Sequence, residues 1–174
     1  DQNVWNGDLA SLKQFAAGTP PTVPVDLTTK LVSPGDIAGH GKSGPIKRGA
    51  DGTLWLYRGD GAGKFGPGRK IGDFGWEIFD QVVGVGDFNG DGKNDLMARK
   101  LDGSLWFYAG TGLVSGANNG YIGAVKVGDF GWEVFDSILG VGDFDGDGKP
   151  DLIARFPNGE LYLYSGRGTG ELGA

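Results

Sequence analysis

An internal repeat constrains this chain more than any other feature of its sequence. Residues 70–96 (KIGDFGWEIFDQVVGVGDFNGDGKNDL) and 126–152 (KVGDFGWEVFDSILGVGDFDGDGKPDL) are identical at 20 of 27 positions, at a fixed offset of 56 residues. A weaker copy begins near Asp36, at the position that corresponds to Asp87 and Asp143. Self-similarity at a period of this length is typical of folds in which one supersecondary unit recurs and stacks on its neighbours.

Each repeat carries the signals of short strands joined by tight turns. Gly accounts for 36 of the 174 residues, roughly three times its ordinary frequency of about 7%. Gly in the interior of a helix costs about 1 kcal/mol relative to Ala, so this composition excludes a helical bundle. Asp-Gly or Asn-Gly stands at 51–52, 102–103 and 158–159, each time before an apolar run. Such dipeptides predict β-hairpins with type I′ turns.

The runs that follow these turns are apolar on both faces. They read LWLY at 54–57, LWFY at 105–108 and LYLY at 161–164. A strand with one wet face alternates polar and apolar residues, so these runs predict strands buried on both sides between stacked sheets. In the last complete copy, the other strands are predicted at Ser137–Val141, Leu152–Arg155 and Ala124–Val127.

Four strands in a unit of 40 to 56 residues indicate an all-β chain, a β-propeller of four-stranded antiparallel blades. The predicted units of this single domain are about 1–26 (partial), 27–79, 80–135 and 136–174 (partial), which gives about three and a half to four blades. The five extra residues of the third unit are predicted in a loop between Tyr108 and Trp132. A Gly-rich sandwich with a duplicated segment is the alternative. Ring closure within one chain, in a dimer or in a longer protein remains open.

Two acidic loops follow the first strand of a unit. Each places side-chain oxygens at positions 1, 3, 5 and 9, with Gly at position 6 for a sharp bend, and oxygen ligands at this spacing suit Ca²⁺. The main-chain carbonyl of the seventh residue can add a ligand. No Glu stands at position 12, so these are not EF-hands. The predicted ligands of two Ca²⁺ ions are Asp87, Asn89, Asp91, Lys93 (main chain) and Asp95, and Asp143, Asp145, Asp147, Lys149 (main chain) and Asp151.

These loops and the strands after them resemble the FG-GAP, or VCBS-type, repeats of integrin-like calcium-binding β-propellers. FGP at 65–67 and IGA at 122–124 are partial matches to other elements of that repeat, and the resemblance covers about residues 27–170. It implies that each calcium loop joins the first and second strands of a blade. The first unit departs from the pattern, because Ala38, His40 and Gly44 replace ligands. We expect that loop to keep its shape and to bind no Ca²⁺.

Other conspicuous residues have structural explanations. Glu77 and Glu133 could form a glycosidase-like pair, but each recurs after a Trp at the same repeat position, which favours a structural role. Trp55 and Trp106 could stack on sugars, but their place inside apolar strands favours packing between blades. We expect Trp76 and Trp132 to pack as well, although nearer to a blade edge and more exposed. The single histidine, His40, lies in the degenerate loop. The sequence GKS at 41–43 matches only the end of a P-loop motif and lacks the rest of it.

Charge and composition narrow the possible partners. The net charge of −6 does not favour nucleic acid, which binds basic surfaces, and seven of the 22 acidic residues lie in the two loops. With no Cys, disulfides, zinc–thiolate sites and cysteine nucleophiles are excluded. The sequence contains no run of 18 apolar residues, so it predicts no membrane-spanning helix.

Together with the resemblance, these features predict a non-catalytic, calcium-stabilised propeller module of a secreted or cell-surface protein. It would bind a protein or a glycan, or serve as an accessory domain of a secreted enzyme. Weak calcium sites suit extracellular calcium concentrations. A lectin with sites between blades and a secreted hydrolase are the alternatives. Unpaired strand edges and apolar faces at an unclosed end would favour self-association as a dimer.

Overall fold

The computed structural model describes residues 30–116 and 118–173, which form three antiparallel sheets. Neighbours in each sheet are also neighbours in sequence, so every sheet is a meander. The predicted unit at 1–26 lies outside the described residues. The first sheet contains β1 (Lys30–Val32), β2 (Ile46–Arg48), β3 (Leu54–Leu56) and β4 (Arg69–Gly72). The second contains β5 (Phe79–Gly86), β6 (Asp95–Lys100), β7 (Leu105–Ser115) and β8 (Asn118–Gly128). The third contains β9 (Ser137–Gly142), β10 (Asp151–Arg155) and β11 (Leu161–Tyr164).

The all-β prediction and the antiparallel four-stranded unit are confirmed, and this arrangement fits a β-propeller. The third sheet stops after its third strand, as the sequence predicts for the last unit. Short 3₁₀ helices at Trp76–Ile78 and Trp132–Val134 connect the first sheet to the second and the second to the third.

The hairpins between second and third strands use a turn other than the predicted one. Gly52 and Gly103 have φ values of +74° and +80°, but no described residue other than Gly has a positive φ. A type I′ turn requires positive φ at two central residues, so that prediction is wrong. Instead, the Gly52 amide donates to the Gly49 carbonyl (3.1 Å) and the Gly49 amide to the Thr53 carbonyl (2.8 Å). The turn therefore starts two residues before Asp51, and only Gly52 takes the left-handed conformation.

The core lies between adjacent sheets, in two clusters. One buries Ile46, Leu54 and Leu56 of the first sheet against Leu96 of the second. The other buries the corresponding residues of the second sheet against the third, among them Met97, Leu105, Phe107, Leu152 and Ala154. One face of the first unit thus packs on the second, and one face of the second packs on the third.

The third sheet presents an open face where the other two sheets are covered. Its members are Leu139, Phe144, Leu161 and Leu163, which are 56%, 63%, 63% and 42% exposed. The corresponding residues of the first unit are Val32, Ile37, Leu54 and Leu56, all buried. The prediction that LYLY at 161–164 is buried on both sides is therefore wrong, because no following unit is present among the described residues.

The predicted loop between Tyr108 and Trp132 is instead a long hairpin formed by β7 and β8. Its distal part crosses to the first unit, where Val114 is buried in the same cluster as Ile37. Arg58 donates a hydrogen bond to the Val114 carbonyl, and Arg69 donates one to the Gly116 carbonyl at 2.8 Å. Apolar contacts with the preceding unit therefore order a segment that its Gly and Asn content marks as irregular.

The tryptophans differ in burial at one position. Trp132 is buried and packs on Tyr164, with ring centroids 4.6 Å apart, and Trp76 is half-buried on Tyr108 at 4.9 Å. Trp55 and Trp106 are also half-buried. The prediction of a more exposed position is wrong for Trp132, because the 3₁₀ helix folds its indole onto the adjoining sheet, while Trp76 is half-buried like Trp55 and Trp106.

Buried arginines fix the connections between sheets. Arg99 donates hydrogen bonds to the carbonyls of Trp132 (2.6 Å) and Phe135, and it pairs with Asp80. Arg48 makes the same two carbonyl contacts one unit earlier. The corresponding Arg155 pairs with Asp136, and its side chain is 53% exposed.

Candidate functional site

The three loops that were compared in the sequence occupy the same place in their units. Residues 87–95 connect β5 to β6, residues 143–151 connect β9 to β10, and residues 36–44 connect β1 to β2. Each acidic loop bends at two glycines with positive φ, at +77° and +81° in the first and +83° and +86° in the second. The position between first and second strands agrees with what the sequence resemblance implies.

In the loop 143–151, carboxylates converge around a small space. Asp143 accepts hydrogen bonds from the amides of Gly146 (2.8 Å) and Gly148 (3.0 Å), so the chain curls around it. Carboxylate oxygens of Asp143, Asp145 and Asp151 lie within 4.8 Å of one another and could hold a metal ion. Asp147 points its two oxygens at the amide and the ammonium group of Lys149, at 2.9 and 2.7 Å. The structure thus brings three of the four predicted carboxylate ligands into one cluster.

The ninth residue of each loop, Asp95 or Asp151, is fully buried and has a second function in the fold. Asp151 accepts hydrogen bonds from the amides of Phe144 (2.8 Å), Asp145 (3.2 Å) and Gly166 (2.9 Å). Gly166 lies just beyond the third strand, so this carboxylate joins the loop to the far end of the next hairpin. Asp95 accepts from the corresponding three amides, which belong to Phe88, Asn89 and Gly110. We call this contact the carboxylate clamp.

Burial raises the pKa of Asp95 to about 6, although its three amide donors act in the opposite direction. The free energy of desolvating this carboxylate is therefore not fully offset by hydrogen bonds. A divalent cation beside the loop would offset it, because the cation favours the charged form.

The loop 87–95 curls in the same way, and one of its predicted ligands is the side-chain amide of Asn89 instead of a carboxylate. Asp87 accepts from the amides of Asp91 and Gly92, both at 2.8 Å, and the Asn89 side-chain oxygen accepts from the Asp91 amide at 3.0 Å. Lys93 lies 3.5 Å from Asp91, a longer ion pair than the one between Lys149 and Asp147. The donor atoms of both loops are oxygens, which fits a hard cation such as Ca²⁺ rather than zinc or copper. Main-chain ligation by Lys93 and Lys149 stays a prediction.

The loop 36–44 keeps its bend although Ala38, His40 and Gly44 stand at three of the predicted ligand positions. Asp36 accepts from the amides of Ala38 (3.0 Å) and Gly41 (2.5 Å). Gly44 replaces the clamp carboxylate, and the Gly59 amide donates instead to the Ser43 carbonyl at 3.1 Å. Main-chain bonding and the buried Ile37 therefore maintain the shape that the sequence predicts for this loop.

The remaining candidates have local structural partners. A Glu133 carboxylate oxygen accepts the Gly131 amide at 2.7 Å, and Glu77 accepts the Gly75 amide at 2.8 Å. The same Glu133 oxygen lies 1.7 Å from the place that a Cβ on Gly103 would occupy. His40 lies 4.0 Å from Asp36. These contacts favour structural roles for both Glu residues, which hold the 3₁₀ helix against the hairpin turn.

A cavity beside Trp106 is a site that the sequence reasoning missed. Its lining residues are Asp102, Ser104, Trp106, Lys126, Asp129 and Phe130. Corresponding residues recur in the preceding unit as Asp51, Thr53, Trp55, Lys70, Asp73 and Phe74. Recurrence of six polar and aromatic residues was the available signal, but only the fold brings the turn, β7 and the segment after β8 together.

Comparisons with known proteins agree with the repeat and the fold. Residues 135–171 match the FG-GAP repeat family, so the predicted resemblance is confirmed over that segment. No curated protein matches this chain. Among solved structures, the BP39L lectin from Burkholderia pseudomallei is similar with a TM-score of 0.58 at 16% identity, over 83% of this chain and 39% of the lectin. At this identity the likeness shows a shared fold, and this chain spans well under half of that structure.

No helix among the residues that the structure describes is both long and apolar enough to cross a membrane.

Proposed function

We propose that this chain is a non-catalytic, calcium-stabilised β-propeller module that binds a macromolecule, a protein or a glycan. The observation that carries the proposal is the pair of acidic loops. In the loop 143–151 three carboxylates converge, and each loop is anchored through a buried carboxylate, Asp95 or Asp151. Calcium is the hard cation that such flexible all-oxygen loops accommodate.

A bound ion would stabilise the unit by joining segments that are distant in sequence. The loop contributes its carboxylates, and the carboxylate clamp already connects that loop to Gly110 or Gly166 beyond the third strand. The ion would also offset repulsion among clustered carboxylates. A ligand that binds only the native state raises the free energy of unfolding, so calcium would rigidify the module without taking part in any reaction.

Thermal denaturation of the whole chain with calcium or with EDTA tests the proposal. We expect the melting temperature to fall when calcium is chelated. Asp147→Ala should reduce the difference between the two conditions, while Asp36→Ala, in the degenerate loop, serves as the matched control and should preserve it. An unchanged melting temperature in EDTA would refute the proposal that calcium stabilises the module.

The open face supports a proposal about assembly. At every position of this face, the corresponding residue of the first unit is covered by a following unit. We propose that a second copy of this chain covers it, which would complete the ring of about three and a half to four blades per chain as a dimer. Arg155 belongs to the same uncovered region, because its counterparts Arg48 and Arg99 bond to the next connection. Sedimentation equilibrium should detect a dimer; a monomer at all concentrations would contradict this assembly.

We place the module outside the cell, as part of a secreted or cell-surface protein. Ca²⁺ sites of extracellular modules bind with affinities of about 10⁻⁴ to 10⁻³ M, which extracellular calcium saturates and cytosolic calcium does not. Calcium titration followed by melting temperature should give an affinity in this range. Submicromolar binding would argue against the placement.

A lectin is the second candidate, because the described residues share their fold with a bacterial lectin. A glycan array separates this candidate from a protein-binding module. A secreted hydrolase is the remaining alternative, and hydrolysis of glycoside or ester substrates by the purified chain would favour it over a binding module.

A further inference from the structure

The Trp106 cavity has the size and construction of a small-ligand site. Its volume is about 340 Å³, within the range of about 300–1,000 Å³ that is typical of ligand pockets. It combines an aromatic ring with carboxylates, a hydroxyl and an ammonium group. Ligand pockets are commonly built in this way, with apolar and aromatic walls and a few placed polar groups.

The indole of Trp106 is held in one orientation by hydrogen bonds. Its Nε1–H donates to the Ser104 hydroxyl at 2.8 Å, and that hydroxyl donates to the Asp102 carboxylate at 2.6 Å. Both bonds constrain a ring that is only half-buried. A pre-oriented aromatic surface loses little conformational entropy when a ligand binds to it.

The preceding unit repeats this chain of hydrogen bonds. Trp55 donates to Thr53 at 2.9 Å, and Thr53 donates to Asp51 at 2.6 Å. Ser and Thr both carry the hydroxyl that links the indole to the carboxylate, so both units keep the same hydrogen bonds. A packing role alone does not require the same three-residue relay beside two half-exposed indoles.

The polar groups around Trp106 balance in charge. Lys126 and Asp129 form an ion pair of 2.5 Å, and Lys100 lies 3.9 Å from the centre of the Trp106 ring. Hydrogen bonds from Ser104 hold the pKa of Asp102 below its usual value, so that this carboxylate is ionised and can accept hydroxyl donors. The lining itself has two carboxylates and one ammonium group, and Lys100 adds a second ammonium group over the Trp106 ring. This near balance of charge favours a neutral ligand over an ionic one.

An exposed aromatic ring completes the site. Phe130 lines the cavity although it is 84% exposed, and Phe74 stands in the same place of the preceding unit at 86%. Two aromatic surfaces beside charged hydrogen-bonding groups match a pyranose, which presents an apolar C–H face and a rim of hydroxyls. The apolar face can stack on a ring while the hydroxyls bond to carboxylate and ammonium groups.

We infer that the Trp106 cavity, and the corresponding residues around Trp55, each bind a neutral pyranose unit of a glycan. This inference rests on the glycan-binding form of the proposed function and assigns its site. The third unit has Asn158, Glu160 and Tyr162 at the corresponding positions, so no site of this kind is expected there. Two equivalent sites on one module would increase the avidity for a repeating glycan.

Nuclear magnetic resonance of the indole N–H groups tests the inference on the full chain. The probes are methyl pyranosides of glucose, galactose, mannose, N-acetylglucosamine, fucose and xylose, each titrated separately. At least one should shift the signals of Trp55 and Trp106 and leave those of Trp76 and Trp132 unchanged. Signals are assigned with single Trp→Phe variants.

Variants then connect the shifts to the site. Phe130→Ala removes an exposed ring and should weaken binding at Trp106 by about tenfold or more, while Glu160→Ala in the third unit should change nothing. Ser104→Ala releases the indole and should weaken binding by about fivefold, the equivalent of one ordinary hydrogen bond. A cooperative thermal transition of each variant verifies that it is folded.

The outcomes separate this inference from the proposed function. Glycan binding on an array that survives Phe130→Ala combined with Phe74→Ala would overturn the inference and leave the glycan-binding module intact. Failure of all six pyranosides to move the Trp55 and Trp106 signals would also overturn it, whether or not EDTA lowers the melting temperature.

Discussion

Removal of two different carboxylates from the loop 143–151 should change the stability of the protein in different ways. Asp151 is fully buried and accepts three amide hydrogen bonds, whereas the Asp147 carboxylate accepts hydrogen bonds from Lys149 and is 37% exposed. Asp151→Ala therefore removes the carboxylate clamp, while Asp147→Ala removes only a predicted metal ligand. The first change should destabilise the fold with or without calcium, and the second only with calcium.

The structure gives the size of each effect. Loss of Asp151 leaves the amides of Phe144, Asp145 and Gly166 without their acceptor, and an unsatisfied buried donor costs about 1–3 kcal/mol. Since the Asp145 contact is long at 3.2 Å, we expect about 3–5 kcal/mol in total. Loss of Asp147 in EDTA should cost less than about 0.5 kcal/mol, as for an ordinary surface substitution.

Calcium adds a term that depends on its concentration. At ten to a hundred times the dissociation constant, a ligand of the native state stabilises it by about 1.4–2.7 kcal/mol per site. Asp147→Ala should lose most of this increment at its own loop and keep the increment at the loop 87–95. The variant should therefore retain about half of the total difference between calcium and EDTA.

Urea denaturation followed by tryptophan fluorescence measures all of these quantities. The native chain and both variants are unfolded in calcium and in EDTA, which gives six values for the free energy of unfolding. If Asp147→Ala lowered stability as much in EDTA as in calcium, it would have a structural role that we do not assign to it. A cost below about 1 kcal/mol for Asp151→Ala in EDTA would refute the reasoning about the carboxylate clamp.

Further predictions concern the connections between units. Asp36→Ala should leave the calcium increment of the melting temperature unchanged; a reduced increment would indicate an ion in the degenerate loop. In urea denaturation Arg99→Ala should lower the free energy of unfolding by about 3–5 kcal/mol, because it leaves Asp80 without its ion-pair partner and removes a donor from two buried carbonyls. Replacement of the exposed Arg155 by Ala should lower it by less than about 1 kcal/mol; equal costs would contradict the assigned burial. Gly103→Ala should lower the melting temperature, because a residue with a Cβ loses about 1–2 kcal/mol of stability at the φ of +80° that Gly103 adopts. An unchanged melting temperature would contradict this conformation. Leu161→Asp should abolish dimers in sedimentation equilibrium, and persistence of the dimer would exclude the open face.

The parts of the fold that the sequence could predict are those encoded locally. The repeat defines the units, the Asp-Gly and Asn-Gly pairs mark the hairpins, and the spacing of Asp87 to Asp95 marks the loops. Strand order follows, because short connections make neighbouring strands antiparallel. The hairpin and loop signals each lie within a short run of consecutive residues, and the repeat is visible when two segments of the sequence are compared.

Apart from the turn type in the hairpins, the errors involve contacts between units. Trp132 is buried because a 3₁₀ helix folds it onto Tyr164 of the next sheet, which no local pattern reveals. Val114 forms part of an ordered hairpin because it packs with Ile37 of the preceding unit. Conversely, Leu161 is exposed because the described residues include no unit beyond the third sheet.

The sequence predicted the residues of the candidate site but not the different roles that they have in the structure. Spacing alone treats Asp147 and Asp151 as equivalent ligands, whereas the structure shows one at the surface and one fully buried. The burial of Asp151 depends on the amide of Gly166, which lies 15 residues later beyond the third strand. Such a contact requires the folded hairpin, so the sequence contains no short-range sign of it.

A crystal structure grown in calcium, with ions located by anomalous scattering, tests the central claim most directly. The account predicts one Ca²⁺ in the loop 87–95 and one in the loop 143–151, each with oxygen ligands at about 2.3–2.6 Å. It predicts no ion in the loop 36–44. Acidic loops without calcium at saturating concentration, or an ion bound at Asp36, would contradict it.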